Sequence, residues 1–83
     1  MSVFANNIAA VMMNQEILRQ NQEKFDVIRH KIESRVIQIA TPMEIIRMFR
    51  LIKANAPYLK ENERLLEETT TALAAERKYL NEE

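Results

Sequence analysis

Ile39-Ala40-Thr41-Pro42-Met43-Glu44 is the stretch that divides this chain into its parts. Thr41 offers a side-chain oxygen to a free N-terminal amide. Pro42 suits the first helical position, where a missing N–H costs nothing, and Glu44 completes a T-x-x-E capping box. A helix therefore begins at Pro42, and residues on its two sides belong to different elements.

On the N-terminal side, Phe4, Val11, Leu18, Phe25, Ile32 and Ile39 follow one another at steps of seven. On the C-terminal side, Leu59, Leu66, Leu73 and Leu80 do the same. A seven-residue apolar repeat draws one line of side chains along a helix, the pattern of long helices packed side by side. The chain has no glycine to interrupt such helices and no cysteine to cross-link them. With 83 residues and one histidine it has neither a disulfide nor a structural zinc site to add to a small core.

A second proline marks a weaker boundary. In Asn55-Ala56-Pro57, either Asn55 ends one helix and Pro57 starts the next, or Pro57 only kinks a continuous one. The expected elements are helices over about 2–36, 42–54 and 57–80 within a single domain, 1–83, the last two being either separate helices or one kinked helix. A first helix of about 35 residues is roughly 50 Å long at about 1.5 Å per residue, far too long for a compact ball. The expected fold is thus all-α, a long antiparallel helical hairpin. Two helices leave apolar faces uncovered, so such hairpins are expected to pair into a coiled-coil-like four-helix bundle, most simply as a homodimer.

The first helix has a narrow seam. Beside its apolar line run Asn7, Asn14 and Asn21 on one flank and Ile8, Gln15 and Gln22 on the other. Asn14, Gln15, Asn21 and Gln22 are either buried polar layers that fix register or solvated flanks of a weak seam. The usual exposure of Asn and Gln favours the second reading. Near its start, Val3, Phe4, Ile8, Ala9, Ala10, Val11, Met12 and Met13 are apolar nearly all round, as in a segment covered by another subunit.

The second segment is amphipathic, with Ile45, Met48, Phe49 and Ile52 on one face and Arg47, Arg50 and Lys53 in a stripe opposite. Such a stripe is able to meet phosphates but is more often a solvated face; no aromatic residue interleaves it and formal net charge is zero. In the third, Tyr58, Leu65, Ala72 and Tyr79 run one residue ahead of the leucine line, with Asn62, Thr69 and Glu76 between. His30, four residues after Asp26, is placed to approach that carboxylate on one helix face.

No cluster carries catalysis: there is no thiol, no glycine-rich loop and no second histidine. No cofactor and no metal are expected. The apolar start lacks the basic flank of a secretory signal, and Glu16 and Arg19 arrive too early for a membrane span. A cytoplasmic setting follows as the expectation. The function expected is a non-enzymatic protein–protein interaction module, such as a small adaptor, an assembly subunit or a chaperone-like regulator. Its partner would be itself or a larger helical protein, met through Phe4, Ile8, Val11, Leu18, Phe25, Ile45, Phe49, Ile52, Leu59, Leu66, Leu73 and Leu80. The alternative is a small nucleic-acid-binding regulator using Arg47, Arg50 and Lys53.

Overall fold

The computed structural model describes residues 3–82, without the side chains of Val3, Leu80, Asn81 and Glu82. Two α-helices, α1 (Val3–Glu33) and α2 (Pro42–Glu82), lie antiparallel as a rod measuring 68 × 19 × 17 Å. Its radius of gyration is 19.3 Å, against about 12 Å for a globule of this length. The hairpin expected from the two sets of seven-spaced residues is present.

The helix count is two, where three were expected, and a single chain forms this hairpin without a four-helix bundle. Pro57 lies inside α2. An interior proline forfeits one backbone hydrogen bond and costs roughly 3 kcal/mol, yet the helix continues because contacts on both sides hold it. Asn55 explains why no break occurs. A helix-ending asparagine takes a positive φ, and no described non-glycine residue has one. Its side chain instead accepts a hydrogen bond from Asn21 Nδ2 of α1 at 2.8 Å.

α1 ends at Glu33, earlier than the boundary near residue 36 read from sequence. Ser34 Oγ donates to Lys31 O at 2.9 Å and Gln38 Nε2 donates to Glu33 O at 3.0 Å. These side chains satisfy carbonyls that the helix end leaves free, so the chain turns without glycine.

The capping box at the start of α2 forms as its sequence requires. Glu44 N donates to Thr41 Oγ1 at 3.2 Å, and Thr41 N donates back to Glu44 Oε1 at 2.9 Å. Arg35 adds a fork, Nη1 to Glu44 Oε1 at 2.6 Å and Nη2 to Oε2 at 2.5 Å, tying the loop to α2. The Arg35 guanidinium first, and the Thr41 amide second, hold the Glu44 carboxyl down at about 2 from its ordinary 4.5. A lowered carboxylate pKa stabilises the fold above the unfolded value, and that stabilisation is lost as pH falls from 4.5 towards about 2. Glu44→Gln keeps a capping acceptor but not the charge. Melting temperatures of wild type and variant should therefore differ at neutral pH and converge in that acid window. A constant difference across it would show that the Arg35 pair adds nothing.

Candidate functional site: the sides of the hairpin

The seam between the helices includes α1 amides that sequence reading placed in solvent. Asn14 Nδ2 donates to Asn62 Oδ1 at 2.9 Å, one heptad from the Asn21–Asn55 bond. A further heptad on, Asn7 Nδ2 reaches Leu65 O at 3.4 Å, and Thr69 Oγ1 donates to the same carbonyl at 2.8 Å. The step of seven from Asn21 to Asn14 along α1 is matched by the step of seven from Asn55 to Asn62 along α2, so the two helices share one register. Asn7, Asn62 and Thr69 are buried, Asn14 and Asn21 half-buried. Solvated flanks are therefore the wrong reading for Asn14 and Asn21, because α2 presents amides at matching heights. Gln15 and Gln22 do stay exposed.

Apolar layers alternate with these polar ones. Val11, 6% exposed, and Leu65, 5% exposed, are the buried apolar core of the rod. Leu18, Phe25, Ile28 and Ile32 of α1 and Met48, Leu51, Tyr58 and Ala72 of α2 are half-buried along the same seam. Among the expected contact residues, Val11, Leu18 and Phe25 thus lie in or beside the seam and Ile8 on its half-buried flank. Phe4 is exposed, and the Leu80 side chain lies outside the described residues.

The other expected contact residues face outward. Ile45, Ile52, Leu59, Leu66 and Leu73 continue a single seven-spaced line along one long side of α2, and Leu59 is 58% exposed at its middle. Phe49, 63% exposed, stands beside the line near the loop. There Phe25 and Ile32 of α1, with Ile45, Met48, Phe49 and Ile52 of α2, frame an apolar groove of about 240 Å³. The amphipathic pattern made these residues look like one core. The asparagine seam takes the position facing α1, which leaves the Ile and Leu line to solvent. Met12 and Met13 are also exposed.

The opposite long side is basic. Lys24, Arg47 and Arg50 surround a shallow apolar floor of Ile28, Leu51 and Ala54. Lys53 is exposed, as are Arg47 and Arg50. No described acidic group pairs with Lys24, Arg47, Arg50 or Lys53. By contrast, Arg19 is gripped by Glu16 at 2.6 Å and by Glu23, and Arg64 by Glu61 at 2.8 Å and Glu68 at 3.1 Å. The Arg19 hydrogen bond lowers the Glu16 carboxyl to about 2. His30 stands 3.9 Å from Glu33 rather than beside Asp26, which faces Arg29 at 3.5 Å.

Among the described residues no group of His, Asp and Glu is arranged to hold a metal ion, and no helix is long and apolar enough to cross a membrane. Compared with known proteins, the chain matches no family model, no curated protein and no solved structure. The functional signal that sequence reading missed is the asparagine ladder. The signal for it was there, since Asn7, Asn14 and Asn21 repeat at seven just as Asn55 and Asn62 do.

Proposed function

We propose that this chain is a non-enzymatic protein–protein interaction module that works through the apolar line of α2. The observation that carries this reading is the row Ile45, Ile52, Leu59, Leu66 and Leu73, bulky and exposed over four heptad steps on a folded rod. A sustained seven-spaced row of this kind is a seam for another helix, and a free surface of such size is rare on a protein that acts alone. The groove framed by Phe25, Ile45 and Phe49 adds a socket for a partner side chain. A cytoplasmic adaptor or assembly subunit closing a four-helix bundle with its partner fits this surface. The fold contributes the spacing, because the polar seam fixes the register that keeps the row straight.

Capture of interacting protein by the full chain tests the reading, with Leu59→Glu/Leu66→Glu as the comparison. Both positions are on the surface, so the hairpin should keep its helical signal while the bound protein is lost. Equal recovery of protein by the two chains would refute the apolar row as the working surface.

A second reading, a nucleic-acid-binding regulator, is favoured by one observation: Lys24, Arg47, Arg50 and Lys53 form no ion pair among the described residues. Nuclease-sensitive recovery in the same experiment, abolished when Arg47, Arg50 and Lys53 are changed to Glu and weakened steeply by salt, would support it over the first.

A further inference from the structure

We infer that the occupant of the apolar row is α2 of a second copy of this chain, running antiparallel and centred on Leu59. The inference rests on the interaction-module reading and names its partner. The row is nearly symmetric about Leu59. A two-fold axis there pairs Leu59 with itself, Ile52 with Leu66 of the second copy and Ile45 with its Leu73, so each layer beyond the central one joins a β-branched residue to a leucine. Leu73 of the second copy then enters the groove between Phe25, Ile45 and Phe49.

Charge decides the direction. Between Arg47 and Lys60, α2 carries only basic charges, at Arg47, Arg50, Lys53 and Lys60. Between Glu61 and Glu68 its charges are acidic apart from Arg64, which is already held by Glu61 and Glu68. Lys53 and Glu67 flank the row on one edge, two heptads apart. Antiparallel pairing sets each Lys53 beside Glu67 of the other copy. The two Lys60 side chains approach at the axis with Glu63 of each chain in the neighbouring turn. A parallel pair would instead lay the basic segment of one copy alongside the basic segment of the other, and acidic alongside acidic. Edge charges of this kind set partner orientation in helix pairs.

The absence of native cysteine makes the test direct. A disulfide requires Cα atoms closer than about 7 Å, so it reports which residues face each other. Single variants Leu59→Cys, Ile45→Cys and Leu73→Cys are oxidised gently, alone and in pairs, with helical content checked for each. The expected result is a doubled mass for Leu59→Cys alone and for the Ile45→Cys and Leu73→Cys mixture. Neither Ile45→Cys nor Leu73→Cys should link to itself. Self-linking of Ile45→Cys as readily as Leu59→Cys would overturn the inference in favour of a parallel pair. Folded variants that link in no combination would also overturn it. The broader reading would then stand or fall separately, on whether Leu59→Glu/Leu66→Glu loses captured protein of a different kind.

Discussion

Leu65→Ala should abolish cooperative unfolding of the hairpin near room temperature. Leu65 is 5% exposed, packs in the same seam as Val11 and stands in the helical turn whose carbonyl receives both Asn7 and Thr69. Truncating a buried leucine costs about 2–5 kcal/mol through lost transfer energy and the cavity that remains. A core of this size supplies net stability of only about 3–5 kcal/mol, so the loss is comparable with the whole. Val27→Ala is the control. Its side chain is 68% exposed on α1, outside both the seam and the apolar row, and surface truncations usually stay within about 0.5 kcal/mol. Urea unfolding followed by helical circular dichroism reads the difference. Equal midpoints for the two variants would mean that Leu65 is not in the seam.

Asn14 and Asn62 make the second case, because their effects should have opposite signs singly and together. Asn62→Leu leaves the Asn14 amide, otherwise bonded at 2.9 Å, facing a methyl group in a part-buried layer. An orphaned polar group of this type costs about 1–3 kcal/mol. Asn14→Leu/Asn62→Leu removes both amides and buries two leucines, and it should melt above the wild type. Paired residues in contact show coupling on the order of 0.5–3 kcal/mol in a double-mutant cycle. Purely additive melting shifts would show that the hydrogen bond carries no weight. The stabilised variant should also lose register specificity, since a leucine layer matches every other apolar layer whereas an amide matches only an amide.

The architecture was legible because its determinants are local. Thr41, Pro42 and Glu44 specify a helix start through bonds spanning three residues, and those bonds are present. The antiparallel arrangement followed from length alone. The helix count was not legible at Pro57, where local propensity argued for a break and the long-range Asn21–Asn55 bond overrides it. The same competition hid the seam. Hydropathy assigns Ile45, Phe49 and Ile52 to the interior and Asn14 and Asn21 to the surface, and each side chain taken by itself supports that choice. Only the pairing of amides on two helices at matching steps of seven makes the polar seam self-consistent. It displaces the apolar row to the outside, where it becomes available to another chain. Arg35 was equally silent in sequence, because its partner Glu44 lies across the loop rather than one turn away.

Pairing of two chains through the apolar row of α2 is most directly tested by light-scattering mass on a sizing column. Wild type and Leu59→Glu/Leu66→Glu are run side by side over a hundredfold range of concentration. The expected result is a wild-type mass of two chains that falls to one chain in the variant, with the helical signal unchanged. Identical masses for the two folded proteins would contradict it.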